Sequence, residues 1–222
     1  MARIARLVVP DHPHHVTQRG SRRQTTFFSC SDYQMYITLV AKIKEKAGVD
    51  VWAYCLMPNH VHLVVVPKRP DSLCFLFRNA HREYARNVNA REGWQGHLWQ
   101  ERFHSFVMDE AHLLATVRYV ELNPVRAGLC DRADEWRWSS VHAHLQKEDD
   151  RLVNVLPMID RVQDWTTYLS SPETEKNLET IRRHSRTGRP IGDDSFVDEL
   201  ERKSGRSLRK RKPGRKPQRL NK

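Results

Sequence analysis

Residues 49–66, VDVWAYCLMPNHVHLVVV, contain two β-branched and aromatic runs, 49–56 and 61–66, separated by Met57-Pro58-Asn59-His60. Proline and asparagine supply turn chemistry, so the stretch reads as a β-hairpin. His60 and His62 open its second arm, and alternation along a strand sends both imidazoles to the same side. Leu63 to Val66 continue as an apolar run that would fix the pair in a sheet, the rigid support a metal site requires. A plainer reading fits the same spacing, with His60 a turn residue and His62 on a solvated face, because a lone H-x-H pair is much less specific than a four-cysteine zinc pattern.

On the amino-terminal side of the hairpin, His15 to Gly20 is a short β-prone segment ending at a glycine, followed by the basic loop Ser21-Arg22-Arg23-Gln24. Tyr33, Tyr36, Ile37, Val40, Ile43 and Ala47 recur at spacings of three and four, so residues 32–47 form an amphipathic helix stopped by Gly48. On the carboxy-terminal side a helix is expected over 72–90, a strand over 103–108 and a helix from Asp109 to Asn123. Strand, helix, two strands, helix, strand, helix is the order of an α+β, ferredoxin-like split β-α-β sheet with helices on one face. Trp136, Trp138 and Leu145 suggest a helix packing back, Leu156 to Tyr168 another, and 172–186 a polar helix. The expected organisation is a domain at 1–145, a helical extension at 146–200 and a disordered basic tail at 201–222.

Across 222 residues, 38 Lys and Arg face 27 Asp and Glu, for a net charge of +11, which points to a polyanionic partner. Eleven of those bases and one acid lie in residues 201–222, so the rest of the chain is close to neutral. Lys210, Arg211, Lys212, Arg215 and Lys216 in that segment are candidate sequence-blind DNA contacts, and Arg19, Arg22 and Arg23 are the candidates in the folded body. No apolar run reaches the roughly 20 residues of a membrane helix and no signal-peptide core is present, so no membrane partner and a cytoplasmic location are expected. Cys30, Cys55, Cys74 and Cys130 form no C-x-x-C pair, which argues against a zinc knuckle and for ordinary buried thiols.

Within the helix expected over 109–123, His112, Thr116, Tyr119 and Asn123 make one polar stripe, opposite Leu113, Leu114, Val117 and Val120. A phenol and an amide therefore sit one turn apart. Asn123 also fits a capping role, since it precedes Pro124 and a short turn closed by Gly128. Tyr84 is a rival nucleophile, but Phe77, Ala80, Tyr84 and Val88 have core spacing. His12, His14 and His15 form a further cluster, either a second metal site or an entry to the first strand.

His60-Val61-His62 matches the His-hydrophobic-His motif of the HUH single-strand endonucleases, and residues 118–129, RYVELNPVRAGL, resemble the tyrosine-helix signature of the REP-associated tyrosine transposases. HHVTQRG at 14–20, MPNH at 57–60, GHLWQ at 96–100 and WSS at 138–140 extend the resemblance over roughly residues 1–145.

The resemblance implies an HUH nuclease fold and a metal-dependent endonuclease and strand transferase. The substrate it implies is single-stranded or hairpin DNA at repetitive extragenic palindromes. Carried over by position, Tyr119 is the nucleophile, His60 and His62 are metal ligands, and Asn123 stands where many single-tyrosine relatives have Gln as third ligand. A divalent ion, Mg²⁺ or Mn²⁺, is implied by the resemblance, whereas two imidazoles by themselves favour Mn²⁺, Zn²⁺ or Fe over hard Mg²⁺. A phenol of pKa about 10 needs help to ionise at neutral pH, and His112 is the candidate base or supporting group. Two other readings use the same residues. One is a DNA- or RNA-binding regulator that keeps the fold without catalysis; the other is a metal hydrolase without a covalent step. Monomer and homodimer are both open.

Overall fold

The computed structural model describes residues 6–210. Four strands, β1 (His14–Arg19), β2 (Val49–Met57), β3 (His60–Pro67) and β4 (His104–Val107), form one antiparallel sheet in the order β2-β3-β1-β4. The helices expected on either side of the hairpin are α1 (Cys30–Ala47) and α2 (Ser72–Glu92), and α3 (Glu110–Glu121) follows β4. The α+β class and the order of these seven elements are as the sequence indicated.

Local chemistry sets the boundaries. Asp32 accepts from the backbone amides of Phe28 and Ser29 at the start of α1, and Gly48 ends it at φ 62°, a left-handed conformation that glycine adopts without steric cost. Gly20 ends β1 because the chain folds back on it: a Cβ there would lie 2.4 Å from the Gln24 carbonyl oxygen. That close approach, with the Gly20 amide donating to the Asn59 carbonyl, sets the arginine loop beside the hairpin turn.

α1 and α2 cover one face of the sheet, packing Tyr36, Leu73, Phe77 and Tyr84 on Val16, Leu63 and Val65. The expectation of helices on one face is met by these two. α3 adds a layer on the other face, where Leu113, Val117 and Val120 meet Ala53, Cys55 and Val64. Burial on both sides explains why residues 63–66 read as a continuous apolar run rather than an alternating one.

After α3 come the short α4 (Asn123–Arg126), α5 (Val141–Gln146), α6 (Leu156–Ile159), α7 (Trp165–Ser170), α8 (Glu175–Thr187) and α9 (Asp194–Ser204). Trp136 and Trp138 precede α5 instead of lying on a helix. Trp136 donates its indole N–H to the Leu56 carbonyl and Ser139 bridges to Cys55, so this segment lines the free edge of β2. The helix expected over 156–168 is two helices, because Asp164 caps α7 by accepting from the Thr167 amide. Met158, Trp165 and Ile181 join the α3 layer, so the carboxy-terminal extension shares a core with the sheet.

The disordered tail expected from residue 201 begins too early. Residues 201–204 complete α9, Leu208 is buried with Leu7, Val107 and Leu200, and Arg209 pairs with Asp194, Asp198 and Glu201. The acids on α9 neutralise the basic charge that composition alone marks as unfolding, and apolar burial offsets the ordering entropy. Residues 211–222 lie outside the described residues.

Candidate active site

Antiparallel pairing sets Thr17 opposite His62 and Arg19 opposite His60, so the side chains of β1 and β3 at these positions share the α3 face of the sheet. α3 crosses that face and presents Tyr119. The His60 and His62 ring centroids are 4.8 Å apart, and the Tyr119 ring stands edge-on to His62 at 5.8 Å and 83°. Asn123, the first residue of α4, donates from Nδ2 to the Tyr119 carbonyl at 3.3 Å. These four residues line one cleft of about 680 Å³.

The histidines are presented as lone-pair donors. Asn59 donates from Nδ2 to the Arg23 carbonyl, which fixes its amide so that Oδ1 accepts from His60 Nδ1 at 2.6 Å. His62 Nδ1 contacts His15 Nε2 at 2.9 Å. In both rings Nε2 has no hydrogen-bond partner among the described residues. Burial, with Arg19 nearby, lowers the His60 pKa to about 4, and burial with His60 and His15 holds His62 well below its ordinary value. Both are neutral at physiological pH, the state a metal ligand needs.

Among the described residues no group of three or more His, Cys, Asp or Glu side chains is placed to hold a metal. Asn123 Oδ1, without a hydrogen-bond partner among the described residues, is an oxygen donor on the same cleft as the two imidazoles. The donor set of two neutral imidazoles and an amide oxygen fits a divalent cation and would leave its charge undiminished.

A cationic wall surrounds these groups. The Arg126 guanidinium lies 4.5 Å from the Tyr119 ring centroid, bonds the Tyr119 carbonyl and pairs with Glu173 at 3.0 Å. Of the three candidate phosphate contacts in the body, Arg19 and Arg23 line the cleft and Arg22 does not. Arg182, Ser185 and Arg186 of α8 complete it. Sequence reading missed Arg126 although it follows Asn123 by three residues; α8 gave no signal, because its arginines reach the cleft only through tertiary packing.

Other expected candidates lie elsewhere. His112 bonds Asp109 Oδ1 at 2.6 Å at the start of α3, about two turns from Tyr119, and does not line the cleft. Lys210 lines a separate cavity between α8 and α9. Arg211, Lys212, Arg215 and Lys216 are outside the described residues. Tyr84 is a core residue whose hydroxyl donates to the Thr26 carbonyl at 2.6 Å. His12 and His14 bond backbone groups of 9–12, so they do not form a second metal site with His15.

The profile of the family described as transposase IS200 like matches residues 8–123, just over half of the chain. The chain belongs to this family. A REP-associated tyrosine transposase of Escherichia coli K12 is 23% identical over 113 residues, covering 50% of this chain and 66% of that protein. A relative from Haemophilus influenzae is 25% identical over 115 residues, 47% of this chain and 65% of its own length. The chain thus matches just under two thirds of each curated relative. A solved REP-associated tyrosine transposase, bound to a REP hairpin, superposes with a TM-score of 0.58 at 19% identity, over 70% of this chain and 93% of that one. That likeness is one of fold and agrees with the α+β arrangement expected. α8 lies beyond the family-matched segment, so the cleft is closed by residues outside it. No helix among the described residues is long and apolar enough to cross a membrane.

Proposed function

We propose that this family member is a single-tyrosine endonuclease and strand transferase acting on single-stranded DNA at hairpin-forming repetitive palindromes. The observation that carries the reading is Tyr119 facing two neutral histidines across a cleft rimmed by arginines. His60, His62 and Asn123 would hold a divalent cation, Mn²⁺ or Mg²⁺, whose charge would polarise the scissile phosphate.

Arg19, Arg23, Arg182 and Arg186 bind the backbone phosphates and orient the strand. Tyr119 Oη loses its proton and attacks phosphorus; the Oη–P bond forms, the P–O3′ bond breaks, and the leaving oxygen takes up a proton to become a 3′-OH, so no proton is gained or lost overall. The product is a 5′-phosphotyrosine that retains the energy of the cleaved diester, so a 3′-OH attacking the same phosphorus rejoins DNA and frees the phenol. Arg126, over the Tyr119 ring, places a positive charge where negative charge develops at the phosphate, whereas His112, the group first expected to support Tyr119, does not line the cleft.

The test is incubation with labelled single-stranded hairpin DNA and Mn²⁺, followed by a denaturing gel. A covalent adduct whose mass maps to Tyr119 is expected. Cleavage without an adduct would point to direct hydrolysis, and tight hairpin binding without cleavage to a regulator that only binds.

A further inference from the structure

His62 is set by a chain of hydrogen bonds that runs through buried His15 and ends in α8. Its Nδ1 meets His15 Nε2 at 2.9 Å, and His15 Nδ1 meets Ser185 Oγ at 3.3 Å. The two imidazole planes are within 5° of each other with centroids 5.1 Å apart, which together with the nitrogen contact describes an edge-to-edge N–H···N bond. His15 is fully buried and His62 is 5% exposed, so water does not compete for the bond.

One proton lies between the two rings, and its position decides what His62 shows to the cleft. With the proton on His15 Nε2, His62 would carry its own on Nε2 and aim an N–H at a site that already holds the Arg19 and Arg126 guanidiniums. With the proton on His62 Nδ1, the Nε2 lone pair faces those cations instead, His15 accepts through Nε2, and its Nδ1–H donates to Ser185 Oγ. Both arrangements keep the His15–His62 and His15–Ser185 bonds, since the serine hydroxyl can donate or accept, but only the second puts the negative end of the imidazole dipole toward positive charge. His60 already has this form, enforced by Asn59 Oδ1.

We infer that His15 and Ser185 are positioning residues that lock His62 as the Nδ1–H tautomer with its Nε2 lone pair in the cleft. The carboxy-terminal extension thereby presets a ligand carried on the sheet. This rests on the reading of His62 as a metal ligand, because a hydrogen bond from the outer nitrogen of a ligating histidine sets both its ring orientation and its basicity.

Two measurements on the full chain test it. Long-range ¹H–¹⁵N correlation spectra of the metal-free protein should show His62 protonated at Nδ1, and His15→Phe should turn that signature into a mixture of tautomers. Mn²⁺ titration followed by electron paramagnetic resonance should then show affinity weakened about 10- to 100-fold in His15→Phe. His15→Gln, whose amide oxygen can accept from Nδ1, should recover most of it, and Ser185→Ala should fall between. A wild-type His62 protonated at Nε2 would overturn the inference, as would wild-type Mn²⁺ affinity in His15→Phe. If the wild type binds no more Mn²⁺ than His60→Ala does, the metal reading fails instead, and the tautomer spectrum still decides the inference.

Discussion

Tyr119 and His62, 57 positions apart in the chain, stand edge-to-face with ring centroids 5.8 Å apart, one on the helix that crosses the sheet and the other on the strand beneath it. The phenol is half-buried and its hydroxyl has no partner among the described residues. Tyr119→Phe should therefore leave the thermal unfolding midpoint within a degree or two while lowering adduct formation on the order of 10⁴-fold or more. Unchanged adduct yield would remove Tyr119 as the nucleophile.

Arg182 and Arg186 should contribute electrostatically to strand binding and little to the fold, since both are exposed. For single-stranded DNA each lost phosphate contact reduces the slope of log K against log salt by about 0.7. The Arg182→Ala/Arg186→Ala double variant should show weaker binding and a slope shallower by about 1.4. Parallel salt curves for variant and wild type would mean that α8 does not touch the strand.

Residues 211–222 carry six basic side chains and no acid. Deleting them should weaken binding and flatten its salt dependence while preserving adduct formation at saturating DNA. Cutting at residue 201 is a different experiment, because it removes the end of α9 and Leu208 from a packed cluster. That protein should be less stable, and comparing the two truncations by urea denaturation separates tether from fold.

Glu121 is fully buried and bonded by Ser140 Oγ at 2.6 Å, His144 Nδ1 at 2.6 Å and Trp165 Nε1 at 2.8 Å. Two segments after α3, α5 with its N-cap and α7, converge on this one carboxyl group. Glu121→Ala takes the acceptor from the buried His144 and Trp165 ring nitrogens, while Ser140 Oγ keeps the Tyr54 backbone, and should cost about 3 kcal/mol in urea denaturation, with Glu121→Gln costing less. A loss below 1 kcal/mol would show that the network is dispensable.

His14 and His81 are buried, and burial lowers their pKa values to about 4 and about 3. In each case the unfolded chain, titrating near 6.5, binds the proton first, so stability is complete above about pH 6.5 and falls as pH drops toward the folded value. Each group should remove about 2 kcal/mol between neutral pH and pH 5. His81→Gln should flatten the acid limb of a urea-midpoint profile. If wild-type stability does not change from pH 7.5 to 5, the buried-neutral assignment is wrong.

The elements of the sheet and its first three helices were legible because their signals are local. Alternation at 60–62, spacings of three and four along 33–47 and stops at Gly20 and Gly48 act within a few residues. Tyr119, His60, His62 and Asn123 could likewise be named from short motifs, and they meet on one cleft. The basic tail was read too long because composition cannot register a pairing such as Arg209 with Asp194 and Asp198.

From sequence alone came the α+β order of the core, the face that His60 and His62 share and the phenol one turn before Asn123. All of these follow from the repeat of a single strand or helix. Tertiary packing alone decided that Arg126 rather than His112 stands beside Tyr119, that α8 closes the cleft with Arg182 and Arg186, and that Ser185 reaches His62 through His15. Those contacts join residues as far apart as 170 positions, and no periodicity in the chain encodes where a helix beyond the sheet comes to rest.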